Sequence, residues 1–415
     1  MDSQHVVMVG IGYAGLPLAV ALARAGNQVT GLDIDAERVR LVNAGVSPVD
    51  TVRDEDIREL AGNLRATTDS VVIADCDVVV VCAPTPVVGN TPDLGPLTAA
   101  ITTVRDRLRP GQLVVVESTT HPSTTDGLLL PILEQSGLRA GVDFNLAYSP
   151  ERIDPGNQRF GITTTPRVVG GLTAVCTERA AALYRQVTEV HVAKGIREAE
   201  AAKILENTYR QVNIALVNEF AQLCHGMDID VWDVIEAAST KPYGFKTFWP
   251  GAGVGGHCIP ADPLYLVHHA ASLGLSFQLA EIAHQVNESM PVWVADRIVK
   301  DLSDRGLRVD GATVLLVGVA YKPDTADTRH SPAGPIARFL QERGVRVVFH
   351  DPLVDEFSWP GGRIEPVADL AAALAEADTT ALLQRHQVLD LDLVCDHARR
   401  LFDTTGAATT AAIKL

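Results

Sequence analysis

The sequence predicts an α/β protein in which two Rossmann-like doubly wound domains are joined by a central all-helical domain. A buried-strand pattern near the N-terminus runs directly into a glycine-rich turn and an apolar helix. The middle of the chain has helical periodicity, and alternating strand and helix patterns return after Asp301. We therefore expect an N-terminal, a central and a C-terminal domain over residues 1–195, 196–300 and 301–415.

Composition narrows the class of protein. The chain has 415 residues, of which 47% are apolar, enough for more than one core. A formal net charge of -16 argues against a nucleic-acid surface, although local basic residues could still hold a small anion. The 6 cysteines form no CxxC pair and no signal peptide is evident, as is typical of a reduced, cytoplasmic protein. The most apolar run, residues 78–82, is too short to span a membrane, and we expect no membrane partner and no bound metal.

The first strand, over residues 5–10, leads into the pattern GxGxxG at Gly10, Gly12 and Gly15, followed by an apolar helix over Leu16–Ala25. Such glycines allow a tight turn and close approach of a pyrophosphate, while the helix N-terminus offers unpaired N–H groups. The arrangement predicts a dinucleotide site.

The second strand, Gln28–Leu32, ends at Asp33. A carboxylate there can accept hydrogen bonds from both ribose hydroxyls and would repel a 2'-phosphate, which favours NAD over NADP. Arg38 is close enough in sequence to pair with a phosphate instead. The alternative role for Asp33 is N-cap of a helix over Ala36–Asn43.

Two more strands, Asp77–Cys82 and Gln112–Glu117, are each followed by a polar turn that contains a threonine, Thr85 or Thr119. Ligands of doubly wound sheets bind at the carboxyl ends of the strands, so both threonines are candidates for contact with a nucleotide. Ordinary turn chemistry is the alternative. A third turn, YSPER, brings Glu151 to the same edge.

A long helix is predicted over Arg197–Gly226, and it places Lys203 and Asn207 on one face. A solvated surface lysine is the alternative for Lys203. The helix also has an apolar stripe, made of Ala202, Leu205, Tyr209, Val212, Leu216 and Phe220. Further helices are predicted over Asp230–Ala238 and Leu279–Arg297. Because helical inserts of this kind commonly pair with themselves, we expect a homodimer through this domain.

Between these helices lies the glycine-rich stretch WPGAGVGGHCIPAD, which carries Cys258 and Asp262. A thiol, a carboxylate, the Lys203 cation and the Asn207 amide are the groups needed to make and stabilise an oxyanion. A buried, inert cysteine is the alternative. For His257 we favour loop packing or substrate contact over a role as base, because adjacent residues in a turn rarely face each other.

The last domain repeats the order of the first: a strand over Ala312–Val319, a helix over Ile336–Arg343, and a strand over Arg346–His350 that ends at Asp351. The turn after its first strand is charged rather than glycine-rich and contains Lys322 and Arg329. A second, nucleotide-like anionic ligand is predicted, with solvated loop charges as the alternative.

Taken in order, the motifs GIGYAGLP, APTP, ESTT, SPER, EAAKILENTYRQVNIA, GVGGHCIPADP and GVAYKPDTADTRHSP resemble the UDP-glucose/GDP-mannose dehydrogenase family over nearly the whole chain. GGHCIP together with SPERIDPG is similar to the UDP-N-acetylhexosamine branch. The glucose and mannose branches usually have GGSC and a lysine where this chain has Ala261. Two departures are Ala252, where the branch commonly has proline, and Gln384-Arg385-His386, where Thr-Asp-His is usual. The second departure is not expected to touch the mechanism.

The resemblance implies NAD as cofactor and oxidation of the C6 alcohol of a UDP-sugar to a uronic acid through a cysteine thiohemiacetal and thioester. The implied catalytic residues are Cys258, Lys203, Asn207, Asp262, Glu151 and Thr119. The implied cofactor contacts are Gly10, Gly12, Tyr13, Ala14, Gly15, Asp33, Arg38, Pro84, Thr85, Thr119 and Arg329. The implied substrate contacts are Glu151, Arg152, Lys203, Asn207, Trp249, Gly253, Gly255, Tyr321 and Lys322.

The expected substrate is UDP-N-acetylglucosamine or UDP-N-acetylmannosamine, with UDP-glucose as the alternative. Two further hypotheses compete with this one. The first is a two-electron hydroxyacid or sugar-phosphate dehydrogenase with an inert cysteine. The second is a nonenzymatic nucleotide-binding protein that has kept the fold.

Overall fold

The computed structural model describes residues 3–88, 91–154, 157, 159–408 and 412–415. Pro155 and Gly156 of the SPERIDPG motif therefore lie outside the described residues. The chain divides into two compact units. The first unit is Met1–Glu206 with Leu264–Leu275, and the second unit is Asn207–Pro263 with Ser276–Leu415. Each contains one large sheet, and the helical segment between these two sheets in the sequence is divided between the two units. The predicted domain limits at 195 and 300 stay a prediction.

The sheet of the first unit has 8 strands in the order β10-β9-β8-β7-β4-β1-β2-β3. Neighbouring strands are parallel except for β8 and β9. Its strands are β1 His5–Val9, β2 Gln28–Leu32, β3 Leu64–Thr67, β4 Val78–Val81, β7 Leu113–Val116, β8 Asn145–Tyr148, β9 Arg167–Gly171 and β10 Val190–Val192, and a hairpin is formed by β5 Val87–Val88 and β6 Thr91–Pro92. Its helices are α1 Gly15–Arg24, α2 Ala36–Asn43, α3 Asp54–Glu59, α4 Gly95–Arg105, α5 Leu130–Glu134 and α6 Ala174–Tyr184.

Strands β1, β4 and β7 are almost entirely apolar because both faces of this sheet are covered. Alternate residues enter two separate cores: Val6 and Met8 pack on one face, and Val7 and Val9 on the other. The chain starts at β1, moves outward to β3, and returns on the other side of β1 with β4. The carboxyl ends of β1 and β4 therefore form the topological switch point, where doubly wound sheets bind ligands.

Four helices lie between the two sheets in sequence, and the longest has 31 residues. They are α7 Ile196–Gly226, α8 Val231–Ser239, α9 Asp262–Ser272 and α10 Gln278–Asp304. Helix α9 begins directly after the cysteine loop and was not predicted, although Asp262-Pro263 is a common helix opening. No helix within the described residues combines the length and apolar character that crossing a membrane requires.

The predicted apolar stripe of α7 is only partly covered by the chain itself: Phe220 packs against the core of the second unit, whereas three other members are exposed. Leu205, Tyr209 and Leu216 are 65%, 47% and 61% exposed. The buried face of the helix instead includes the polar residues Glu200, Lys203, Thr208, Gln211 and Asn218. The prediction identified these apolar positions but not that three of them would be exposed.

The sheet of the second unit has 7 strands in the order β13-β14-β12-β11-β15-β16-β17, again parallel except at one edge pair. Its strands are β11 Thr313–Val317, β12 Arg346–His350, β13 Phe357–Trp359, β14 Gly362–Pro366, β15 Thr379–Leu382, β16 Leu401–Asp403 and β17 Ile413–Lys414. Its helices are α11 Ala333–Gln341, α12 Leu370–Glu376 and α13 Leu391–His397. The switch point lies between β11 and β15, so the predicted second Rossmann-like sheet is confirmed.

Candidate active site

The glycine-rich turn after β1 is shaped by two of its three glycines. Gly10 has a φ of +92°, and a Cβ on it would lie 2.6 Å from the carbonyl oxygen of Cys82. A Cβ on Gly15 would lie 1.9 Å from the carbonyl oxygen of Gly10. At Gly12 the nearest atom is 4.0 Å away, so this position faces open space. The turn is thus tightly packed at Gly10 and Gly15 and open at Gly12, which leaves room for a dinucleotide pyrophosphate to approach.

Asp33 is buried at the end of β2, where its Oδ2 accepts the N–H of Ile11 at 3.0 Å. The capping alternative for Asp33 is wrong, because Asp35 caps α2 and accepts the N–H groups of Glu37 and Arg38. The Arg38 Nη1 lies 3.6 Å from Asp33 Oδ2. A fixed carboxylate beside the glycine turn fits the ribose of NAD.

The turns that follow β4 and β7 are joined, because the Ser118 hydroxyl donates to the carbonyl oxygen of Ala83 at 2.7 Å. The Tyr265 hydroxyl, from α9, donates to the carbonyl oxygen of Thr85 at 2.6 Å. Thr85 is buried and Thr119 half-buried, whereas Pro84 is exposed. At the start of α1, Tyr13 is exposed and Ala14 is the N-cap residue.

Glu151 is held by three donors within the first unit. Its Oε1 accepts the N–H groups of Arg152 and Ile153, both at 2.6 Å, and its Oε2 accepts Arg167 Nη2 at 2.8 Å. The Arg152 side chain donates to Glu206 and to the carbonyl oxygen of Pro166. The carboxylate of Glu151 is therefore fixed in orientation.

Arg167 continues this network into the core. Its Nη1 donates to Glu117 Oε1 at 2.8 Å, and the Tyr184 hydroxyl also donates to that carboxylate. Arg167, Glu117 and Tyr184 are all buried, and burial raises the pKa of Glu117 although Arg167 opposes this effect. Sequence analysis missed Arg167 and Tyr184, because only the fold brings β9 and α6 next to Glu117.

Glu200, also missed, connects α7 to the turn that carries Thr119. This buried carboxylate accepts the hydroxyl groups of Thr120 and Thr125 and the N–H groups of Ser123 and Thr125, at 2.7 to 3.1 Å. Burial raises the pKa of Glu200 to about 7. One turn later on α7, Lys203 is buried, so the alternative of a solvated surface lysine is wrong.

In the second unit, Cys258 lies at the end of the glycine-rich loop. Its carbonyl oxygen accepts the N–H groups of Ala261 and Asp262, at 3.2 and 2.8 Å, which opens α9. Asp262 is buried, and Asn207 Nδ2 donates to its Oδ2. All 6 cysteines lie within the described residues, and Cys258 is the only exposed one, so the alternative of a buried thiol is wrong.

The glycines of this loop allow it to pack against the turn after β11. A Cβ on Gly255 would lie 2.6 Å from Tyr321 Cβ, and one on Gly256 would lie 2.7 Å from the Tyr321 ring. The N–H of Gly256 donates to the carbonyl oxygen of Arg329 at 2.9 Å. Close backbone approach thus brings the cysteine loop to Tyr321, as the predicted substrate contacts require.

The structure also describes the surroundings of the remaining predicted residues of the second unit. Trp249 is exposed and stacks on Trp232, with 5.4 Å between ring centroids. Gly253 has a φ of +138° and a Cβ there would lie 3.2 Å from Pro291. The Lys322 ammonium group lies 5.8 Å from the centre of the Tyr321 ring, and Arg329 pairs with Asp327. His257 is half-buried, and burial lowers its pKa.

A cavity of about 130 Å³ opens where β11, β15 and β16 end. Its wall is formed by the cysteine loop, the N-terminus of α11 and the turns after these strands. Gln384 lines the cavity, and its Nε2 donates to the carbonyl oxygen of Tyr321 at 3.1 Å. Gln384 of the Gln384-Arg385-His386 departure therefore contacts a predicted substrate residue, while the expectation that this departure does not touch the mechanism stays a prediction.

The two ends and the middle of the chain each match a domain of one known protein family. Residues 4–188 match the NAD binding domain of the UDP-glucose/GDP-mannose dehydrogenase family. Residues 197–289 match the central domain of that family, and residues 315–409 match its UDP binding domain.

Individual relatives cover most of the chain. A UDP-N-acetyl-D-glucosamine 6-dehydrogenase of Pseudomonas aeruginosa is 38% identical over 85% of this chain and 84% of its own length. A UDP-N-acetyl-D-mannosamine dehydrogenase of Pyrococcus horikoshii is 36% identical, with 84% of each chain covered. A solved structure of a UDP-D-ManNAc dehydrogenase from Pyrococcus horikoshii superposes with a TM-score of 0.89 at 32% identity, covering 99% of this chain and 98% of that one.

Proposed function

Because this chain belongs to the UDP-glucose/GDP-mannose dehydrogenase family, we propose that it oxidises the C6 alcohol of a UDP-N-acetylhexosamine to a carboxylate with two NAD per turnover. The observation that carries the proposal is the exposed Cys258, which ends a glycine-rich loop and comes four residues before Asp262, the acceptor of a hydrogen bond from Asn207. A two-electron alcohol oxidation has no need of a thiol, so this constellation favours the four-electron reaction.

In the first oxidation, the alcohol loses a proton and a hydride and becomes an aldehyde. Asp262 holds a water that takes the proton, and the Lys203 cation stabilises the developing alkoxide. The glycine turn and Asp33 would hold NAD, and one NAD would accept the hydride in each of the two oxidations.

In the second oxidation, the Cys258 sulfur bonds to the aldehyde carbon, and the carbonyl oxygen becomes an oxyanion that takes up a proton. Loss of that proton and of a second hydride converts this thiohemiacetal into a thioester. Water then breaks the carbon–sulfur bond, which yields the carboxylate and restores the thiol. Lys203 and Asn207 stabilise the oxyanions, while Glu151 and Thr119 position the water.

The choice of an N-acetylated sugar is supported by the relatives and by the GGHCIP motif around Cys258. UDP-N-acetylglucosamine is the first candidate and UDP-N-acetylmannosamine the second. UDP-glucose is the smaller alternative, since a pocket that admits an N-acetyl group discriminates weakly against a sugar that lacks one.

The test is the amount of NADH released per mole of limiting sugar nucleotide, measured with UDP-N-acetylglucosamine, UDP-N-acetylmannosamine and UDP-glucose side by side. We expect a ratio of about two with an N-acetylated sugar, because each alcohol loses two hydrides. A ratio of one would establish a two-electron dehydrogenase. The absence of NADH with all three would support another substrate or the nucleotide-binding hypothesis.

We also propose a homodimer that covers the exposed stripe of α7. Tyr209, Leu216 and Leu223 are spaced seven residues apart, lie on one face of the helix and are all exposed. A row of large apolar side chains along a helix is a typical surface for a second helix.

Leu216→Lys should therefore shift the protein from dimer toward monomer, because a charge would be buried in the interface. Light scattering after size-exclusion chromatography measures the mass directly. The matched control is Val388→Lys, at a similarly exposed apolar position outside α7. A wild-type protein that is monomeric at micromolar concentration would contradict the proposal.

A further inference from the structure

The two sheets repeat one arrangement at their switch points. Gly10 follows β1 and Gly318 follows β11, with φ values of +92° and +78°. Each donates its N–H to the last residue of the neighbouring strand, Leu32 or His350, at 2.8 Å. The residue directly after each of these neighbouring strands is an aspartate, Asp33 after β2 and Asp351 after β12.

The two aspartates are also bonded alike. Asp33 Oδ2 accepts the N–H of Ile11 at 3.0 Å, and Asp351 Oδ2 accepts the N–H of Val319 at 2.7 Å. In both cases the donor is the residue after the glycine. Asp351 is thus the structural counterpart of the residue that fits the ribose of NAD in the first unit.

The two aspartates differ in the side chains that surround them. The Arg38 guanidinium lies 3.6 Å from the Asp33 carboxylate, and the Arg38 side chain is half-exposed. The Asp351 side chain is fully buried, and His386 Nε2 lies 3.1 Å from its Oδ2. Burial alone would raise the pKa of Asp351, but hydrogen bonds from His386 and from backbone N–H groups hold it below its usual range. His386 therefore takes the place where a ribose hydroxyl would bind.

The tautomer of His386 follows from its second contact. Its Nδ1 lies 2.9 Å from the backbone nitrogen of Asp324, which can only donate, so Nδ1 accepts. The ring proton is then on Nε2 and is donated to Asp351. The neutral ring satisfies both partners at once.

These contacts hold the turn that connects β11 to Asp324. Asp351 Oδ2 also accepts the N–H of Ala320 at 3.0 Å, and the N–H of Gln387 donates to Asp324 Oδ1 at 2.7 Å. Asp324 has a φ of +58°, a backbone conformation that costs energy for a residue other than glycine unless its surroundings impose it. Tyr321 and Lys322 lie between these fixed ends.

We propose that Asp351 and His386 form a positioning pair that holds Tyr321 and Lys322 in the conformation that binds the nucleotide part of the substrate. The inference rests on the proposed function, because it takes a UDP-sugar as the ligand of this turn. Neither residue of the pair touches the reacting atoms. Their effect is on nucleotide affinity and not on the chemical steps.

The test uses UDP as the probe, with its dissociation constant measured by calorimetry on the full chain. His386→Leu should weaken UDP binding about tenfold or more, because it removes one donor from a buried carboxylate and leaves the N–H of Asp324 without its acceptor. His386→Gln should restore binding to within about threefold, since one amide offers both an acceptor and a donor. His397→Leu, at an exposed histidine of α13, is the matched control and should bind UDP like the wild type.

Steady-state kinetics distinguish a specific loss of nucleotide positioning from a general loss of structure. In His386→Leu the KM for the sugar nucleotide should rise by about the same factor as the UDP dissociation constant, while kcat and the KM for NAD stay near wild type. If His386→Leu does not fold, Asp351→Asn keeps the shape of the pair and should show the same loss. Unchanged UDP affinity, or an equal loss of NAD affinity, would overturn the inference. A wild-type protein that binds no UDP would instead overturn the proposed function, and the inference with it.

Discussion

Cys258→Ser should reduce steady turnover at least about a thousandfold while UDP and NAD bind with near wild-type affinity. The reason is chemical: a thiolate adds to the aldehyde and later leaves from the thioester, whereas a serine hydroxyl is a far weaker nucleophile. Steady-state NADH formation and calorimetry with each ligand measure the two effects separately.

The first oxidation does not need the thiol, so the serine variant should still release about one NADH per chain in a single-turnover experiment. Cys395→Ser, at a partly buried cysteine of α13, is the matched control and should turn over normally. Wild-type turnover by the Cys258 variant would contradict the covalent step and favour the two-electron hypothesis.

Arg167→Met should lower the free energy of unfolding by about 3 to 5 kcal/mol, because it leaves the buried Glu117 and the partly buried Glu151 without their shared cation. Denaturant unfolding at neutral pH measures the loss. Adding Glu117→Gln should recover part of it, since the double variant no longer buries an unpaired charge.

The loss should depend on pH. Without Arg167, the pKa of Glu117 in the folded protein lies further above its unfolded value, so the folded variant binds more protons than the unfolded chain. Its stability then falls as pH rises through and above the ordinary carboxyl range, and the deficit should be smaller near about pH 5 than near about pH 8. Equal deficits at both values would contradict the electrostatic explanation.

The parts of the fold that sequence analysis predicted well depend on local patterns. β2 and β12 were predicted to the residue, and the GxGxxG turn was identified correctly, because strand periodicity and glycine spacing are local properties. Asp33 was placed correctly for the same reason. The alternative role of Asp33 as a helix cap is wrong. Asp33 and Asp35 both lie just before α2, and only the structure shows that Asp35 is the cap.

The supporting residues of the site could not be predicted in this way. Arg167 meets Glu117 across a gap of 50 residues, and Glu200 meets its partners across 75 residues or more, so no spacing rule connects them. The stripe of α7 was visible as a pattern, but periodicity does not say whether the chain itself or a partner covers an apolar face. His386 is a similar case, since its significance depends on the burial of Asp351.

The repeated glycine and aspartate bear on how each sheet selects its ligand. Thr85 and His386 occupy matching places, each four residues beyond the end of β4 or β15. The glycine and the acid are common to both switch points, whereas this third-strand turn is one place where the two differ. An exchange of ligand preference between the two sheets would therefore need changes in that turn, because the shared acid alone does not distinguish them.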